Sequence, residues 1–357
     1  MANKRLKIGI LFGGRSAEHE VSVVSAQAVM AALDADRFQA IPIGVTKQGT
    51  WLTPAASERA IAAIRSEMFS ALEEPLGQGI LHRTQALGAL RRVDVAFPLI
   101  HGTNGEDGTL QGFLELADVP YVGAGVMASA VGMDKALQKV IYREHGFPVP
   151  DDVTILASRW RTDPGALTRE VEAAIPYPSF VKPANSGSSI GTSMARSRED
   201  QNEALEEAFR YDRKVLVEVA VEGRQVEVAV LGNDEPEASP VGEITFEGEF
   251  YDYHAKYEDP NTRLHIPADI PPQTAEEVRA LALAAYRSID CAGLARVDFF
   301  LTPQGNIFLN EVNTIPGFTP MSMYPKLWEH AGLSYSDLIT RLIELALERH
   351  EEKRRCV

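Results

Sequence analysis

The chain has little of several things, and each shortage excludes a class. It has two cysteines in 357 residues, Cys291 and Cys356, so neither a disulfide framework nor a thiolate metal cluster is expected. No stretch approaches the roughly 20 apolar residues that span a bilayer. The opening MANKRLKIGILFGG lacks the long apolar core of a secretory leader, because its apolar run stops at the glycines. Basic residues are in deficit: 35 Lys and Arg stand against 50 Asp and Glu, a formal charge of −15. Such a surface disfavours nucleic acid and anionic membrane as partners, but leaves room for a small anionic substrate where cations are concentrated locally. The expectation is a cytoplasmic protein with no nucleic-acid and no membrane partner. Two nucleotide signatures are also missing. No G-x-G-x-x-G follows the first strand, and the loop NSGSSIGTS lacks the G-K-[ST] ending of a Walker A motif.

What is present is length and alternation. A hydrophobic content of 45% over 357 residues can fill the cores of two or three domains. KIGILF (7–12), a loop at Gly13 to Ser16, a helical pattern over 16–33 and FQAIPIGV (38–45) read as a Rossmann-like opening. Glu20 falls in the first turns of that helix, where a carboxylate suits the helix dipole. A strand over 93–100 runs into HGTNGEDGTLQG, which places His101 at the carboxyl edge of a parallel sheet, where ligands bind. A helix over 127–145 carries MDKALQK, and the boundary of the first domain is expected near 125–130. YPSFVKPA (177–184) reads as a strand with Lys182 at its end. The Gly/Ser loop after it either wraps phosphate oxygens with backbone N–H groups or is a plain turn. KVLVEV (214–219) holds Glu218 late in a strand, and QVEVAVL (225–231) alternates cleanly. TFEGEFYDYHAKYEDPNT (245–262), dense in aromatics and charges, reads as a lid loop. PGFTPMSMYP is expected to be irregular, and a last helix is expected over 336–350. No internal repeat is found.

Leu294 to Thr319 (LARVDFFLTPQGNIFLNEVNTIPGFT) predicts a β-hairpin. A two-residue loop at Gln304 and Gly305 would pair Asp298 with Glu311 and Arg296 with Asn313. All four side chains then share one face. Directly opposed residues lie about 4.5–5.5 Å apart at Cβ, so the two carboxylates repel. A shared divalent cation would remove the conflict, and two carboxylates with an amide oxygen suit magnesium completed by substrate phosphates. Spacing alone leaves an exposed hairpin with a cross-strand Arg–Asp pair equally open.

Taken together, HEVSVVS (19–25), HGTNGEDGTLQG (101–112), MDK (133–135), VKPANSGSSIG (181–191), YDYHAKY (251–257), RVDFF, NEVNTIPGFT (310–319) and MSMYP (321–325) resemble, in order and spacing, the D-alanine–D-alanine ligases of the ATP-grasp superfamily. The resemblance spans nearly the whole chain. It implies a mixed α/β and α+β fold, a three-domain ATP-grasp architecture with a Rossmann-like N-terminal domain at 1–127. A central subdomain would occupy 128–221, and a C-terminal subdomain 222–357, with a lid at 245–262 and a metal-binding hairpin at 294–313. It implies ligation of two D-alanines at the expense of ATP, through an acyl phosphate, for peptidoglycan precursors. Lys135 and Lys182 would bind phosphates, and Lys256 would reach the γ-phosphate. Glu218 would accept the adenine amine beside the Val219 and Val221 backbones, with Asn310 also at the nucleotide. Gln225 stands where relatives carry a ribose-binding Glu, with Glu227 on the same strand face. Asp298, Glu311 and Asn313 would hold two magnesium ions, with manganese as substitute. Arg296 and the Gly317 N–H would steady the acyl phosphate and the tetrahedral intermediate. Glu20 would pair with the first D-alanine's ammonium, near His101, and Ser188 and Tyr257 would complete a hydrogen-bonded chain with Glu20. Ser322 and Met323 would border the second D-alanine. A homodimer is also implied. The rivals are a D-alanine–D-lactate ligase and another ATP-grasp carboxylate–amine ligase, and the lid tyrosine argues against the first.

Overall fold

A computed structural model describes residues 5–16, 18–64, 88–246 and 261–356. Within them the chain builds three sheets. Leu6–Gly13 (β1), Phe38–Val45 (β2) and Val95–Pro98 (β3) form a parallel sheet in the order β2-β1-β3. Ile8, Ile10 and Phe12 of β1 are wholly buried. A parallel strand covered on both faces needs such apolar continuity. The helix between the first two strands runs over His19–Ala32. Beyond β3, Tyr121 joins the sheet only through a bridge to Ala96.

The expected single helix over 127–145 is two helices, Val126–Met133 and Lys135–Glu144, broken at Asp134. Asp134 is extended and accepts the Leu137 N–H (3.1 Å) as the N-cap of the second, a role short acidic side chains favour over helix interiors. The break makes Lys135 the first residue of a helix, and its own N–H donates to Ala184 (3.0 Å). Asp152–Leu156 (β4), Ser179–Pro183 (β5), Ser193–Ala195 (β6) and Lys214–Val219 (β7) then form an antiparallel sheet in the order β4-β7-β5-β6.

The third sheet comprises Arg224–Gly232 (β8), Glu237–Ala238 (β9), Gly242–Thr245 (β10), Arg263–His265 (β11), Gly293–Leu301 (β12) and Ile307–Asn313 (β13). Its path is β11-β10-β8-β12-β13, with β9 on β8. Helix Pro272–Ser288 backs it and buries Val278, Ala282, Ala285 and Tyr286. The expected irregular stretch after the hairpin is partly helical, Met323–His330. Pro325 is tolerated because it falls in the first turn, where no intrahelical N–H is needed. Phe318 packs its ring against Phe97 of β3 (5.7 Å) and Tyr335 (5.6 Å). The final helix, Tyr335–Arg355, returns to the first sheet. Arg349 donates to the carbonyls of Tyr121 (3.0 Å) and Gly123 and lies over the Tyr121 ring. These contacts seat Gly317 and Ser322 beside the N-terminal sheet.

Candidate active site

Both antiparallel sheets and the N-terminal region open onto one cleft of about 1790 Å³. Pockets for a single drug-sized ligand run from about 300 to 1,000 Å³, so this cleft has room for a nucleotide together with smaller substrates. Glu20, His101, Lys135, Lys182, Ser188, Val221, Gln225, Arg296, Asp298, Asn310, Glu311, Asn313, Gly317, Ser322 and Met323 all line it. Glu218 and Val219 stand behind the wall. Lys256 and Tyr257, with most of the expected lid, lie outside the described residues. The chain leaves the third sheet at Thr245 and re-enters it at Arg263, and these two residues are paired across β10 and β11.

The hairpin holds Arg296 opposite Asn313 and Asp298 opposite Glu311. That register is the expected one, but its cause differs. The connection is not two residues long; it runs from Thr302 to Asn306. A register shift beyond Asp298, opposite Asn310, absorbs the difference. An extra residue in one strand also breaks strict alternation. Asn310 and Glu311 accordingly both reach the cleft. Arg296 grips Asp298 with two bonds of 2.7 Å and lies 3.0 Å from Glu227. Asn313 donates its amide to Asp298 (3.0 Å). Glu227 is therefore engaged with Arg296, and both it and Gln225, next to it on the same face, line the cleft.

Lys135 crosses the cleft floor to Glu311 (3.2 Å) and donates to the Ser186 carbonyl (2.8 Å). Burial disfavours its ammonium, but Glu311 more than compensates and raises its pKa. Gln138, on the same helix, accepts the Val312 N–H at 2.9 Å and so locks Lys135 to the hairpin. Asp298, Glu311 and Asn313 present hard oxygen donors on one face, and each carboxylate already draws a cation to itself. The set suits magnesium or manganese. Among the described residues no group of three His, Cys, Asp or Glu could hold a metal, so the amide of Asn313 and substrate oxygens must complete any coordination here.

The loop 185–192 is held from beneath. Asp212 accepts both the Asn185 N–H and its side-chain amide at 2.8 Å. Ser188 and Ser189 are both left-handed, with φ of 47° and 58°, at about 1–3 kcal/mol of strain each. Strain of this kind persists where surrounding contacts over-determine the backbone. The Ser188 hydroxyl donates to Glu18, not to Glu20. The helix starts at His19, later than expected, so Glu18 lies at its cap and turns inward, 7% exposed. Glu20 instead pairs with Lys47, whose side chain is half exposed. Gly187 makes room for this, since a Cβ there would meet a Glu18 oxygen at 2.9 Å. Glu18 was not among the expected site residues, because a helix expected from Ser16 places it inside the first turn.

His101 is buried, with Nδ1 3.1 Å from the Ile315 carbonyl and 3.4 Å from Glu106. Burial lowers its pKa, yet Glu106 and Glu18 outweigh burial and raise it. Nε2 has no hydrogen-bond partner among the described residues. Ser322 accepts the Thr319 N–H (3.1 Å), and a Cβ at Gly317 would meet its hydroxyl at 3.1 Å. Glu218 is 2% exposed, and its carboxylate lies between Lys182 and Lys139 (2.9 Å). Glu218 does not itself line the cleft. Lys139 and Glu106 escaped the sequence reading: nothing in their spacing separates a buried charge from a solvated one.

Residues 7–124 match the family model "D-ala D-ala ligase N-terminus" and residues 141–344 match "D-ala D-ala ligase C-terminus". A curated D-alanine–D-alanine ligase of Deinococcus radiodurans is 49% identical over 345 residues, covering 96% of this chain and 98% of its own. That of Geobacillus thermodenitrificans is 46% identical over 354 residues, covering 98% and 97%. Among solved structures, the D-alanine–D-alanine ligase of Coxiella burnetii superposes with a TM-score of 0.80 at 35% identity, covering 99% of this chain and 97% of its own. The VanG D-Ala:D-Ser ligase of Enterococcus faecalis gives 0.82 at 36%, covering 96% and 100%.

Proposed function

The chain belongs to the D-alanine–D-alanine ligase family, and from that premise we propose that its cleft joins two D-alanines at the expense of ATP, giving D-alanyl-D-alanine, ADP and phosphate. The observation that carries this reading is the pairing of an acidic hairpin with a lysine-bearing wall across one cleft, a match for a metal-bound triphosphate.

In this mechanism the first D-alanine's carboxylate oxygen attacks the γ-phosphorus. A P–O bond to that oxygen forms and the bond to the ADP oxygen breaks. Lys135 and Lys182 bind the phosphate oxygens as point charges. Magnesium or manganese, two ions held by Asp298, Glu311 and Asn313, would offset phosphate charge when bound. The second D-alanine's amine, having lost a proton, then attacks the acyl carbon. A C–N bond forms, the C–O bond to phosphate breaks, and phosphate leaves. Arg296 and the Gly317 N–H bear on the oxyanion of that step. His101 and the Glu18–Ser188 pair face the first D-alanine, and Ser322 and Met323 the second. Lys256 and Tyr257 come from the lid, which keeps the acyl phosphate from water. The working form is a cytoplasmic homodimer, for which the sedimentation coefficient is the check.

The test is phosphate release from ATP with D-alanine as the sole amino acid and L-alanine as control. Release with D-alanine alone is expected, and none with either isomer overturns the reading. The D-Ala:D-Ser neighbour makes D-serine the rival second substrate, beside D-lactate. Product analysis from equimolar mixtures at neutral pH should give D-alanyl-D-alanine in excess; predominant D-alanyl-D-serine or depsipeptide would reassign the second site.

A further inference from the structure

Lys139 is a cation that the steps above do not use. It lies one turn beyond Lys135 on the helix Lys135–Glu144, yet it is 2% exposed and does not line the cleft. Its Nζ stands 2.9 Å from one Glu218 oxygen and 3.3 Å from the Pro150 carbonyl. Lys182 holds the other oxygen of Glu218. Of these three charges, Lys182 alone reaches the cleft. A carboxylate shared with one lysine would cancel it. Shared between two, it leaves a surplus positive charge. Because Lys139 is sealed in, that surplus is expressed at Lys182. Removing one member of a buried ionic group also lets the rest re-pair. Without Lys139, both oxygens of Glu218 would be available to draw Lys182 back from the cleft.

We propose that Lys139 is a positioning residue for nucleotide binding: by holding one oxygen of Glu218 from behind, it limits the hold of that carboxylate on Lys182 and leaves Lys182, which lines the cleft, to the triphosphate. The inference rests on the reading of the cleft as a nucleotide site. It is tested by calorimetric titration of the full-length protein with ADP and ATP, beside steady-state kinetics, for Lys139→Met, Glu218→Gln and the double variant. Lys139→Met is expected to weaken ATP binding and raise KM for ATP about tenfold. KM for D-alanine and kcat should stay within about twofold. In the Glu218→Gln background the same change should add nothing, because Lys139 then has no carboxylate to restrain. Unaltered ATP affinity in folded Lys139→Met overturns the proposal, and so does an equal loss in the Glu218→Gln background. If Lys139→Met fails to fold, Lys139→Gln, which keeps a donor to Glu218 without the charge, takes its place with the same expected and overturning outcomes. Failure of the unaltered protein to bind ADP or ATP would remove the nucleotide reading itself, a result separable from either of the others.

Discussion

The two walls of the cleft carry opposite charge by the same construction. On the six-stranded sheet, Glu227 and Asp298 flank one guanidinium, Arg296, and Glu311 stands opposite Asp298. On the opposing side, Lys135, Lys139 and Lys182 stand with one carboxylate, Glu218. In each set the minority charge holds part of the majority in place and leaves the rest for a ligand. Lys135 and Glu311 join the two sets directly. The acidic wall asks for a cation and the basic wall for an anion, so a metal–triphosphate satisfies both, whereas either component alone satisfies one. Local charge of both signs also explains how a chain of net charge −15 accommodates a polyanion.

The sharpest way to break this comparison is on the acidic wall. Glu311→Gln or Asp298→Asn should lower phosphate release by about three orders of magnitude, because each removes charge at the reacting phosphate, and Asp298→Asn should also lower the thermal midpoint through its two bonds to Arg296. Undiminished turnover would take the hairpin out of the mechanism. The basic wall should respond differently. Lys182→Met is expected to raise KM for ATP by about ten- to a hundredfold, the cost of one charge-assisted contact or a little more. KM for D-alanine should change far less, and an equal rise in both would mean a general distortion. Smaller again is the contrast between the neighbouring acids. Glu18→Gln should raise KM for D-alanine about tenfold, because the amide still accepts from Ser188 but no longer carries the charge that strengthens the bond. Glu20→Gln should stay within about twofold, since its partner Lys47 is exposed and such pairs are weak. The reverse order would restore Glu20 to the role first expected of it.

Much of the site could be read from residue order, but the reasons were not always sound. The hairpin register held although the loop is longer than expected, because the shift opposite Asn310 cancelled the error. Alternation reports which face a residue occupies, not where a strand carries an extra residue. Helix starts were the weaker link. The resemblance gave Glu20 the place beside Ser188, whereas the helix start at His19, not Ser16, puts Glu18 there. Running one helix through Asp134 hid the cap that makes Lys135 a first residue aimed at the cleft. Both misreadings concern capping residues, whose polar side chains serve equally well inside a helix on paper. The lysine wall was half legible. Lys135 and Lys182 stand out in MDK and VKPA, but the burial of Lys139 and the partners of Glu218 depend on contacts between segments far apart in the chain.

The smallest effect expected is on stability in acid, and it returns to the basic wall. Burial opposes ionisation of Glu218, but the charges of Lys182 and Lys139 overcome it and bring its pKa from 4.5 to about 2. A carboxyl whose pKa is lower folded than unfolded binds more protons when unfolded. Below 4.5 the unfolded chain takes up that proton, so stability falls with pH until the folded pKa is also passed. Glu218 therefore contributes stability that is present above pH 4.5 and lost between 4.5 and about 2. Glu218→Gln should flatten that part of a urea-midpoint profile while leaving its slope above pH 5 unchanged. An acid limb left unchanged by Glu218→Gln would mean that the carboxylate held by Lys139 and Lys182 is not one on which stability in acid depends.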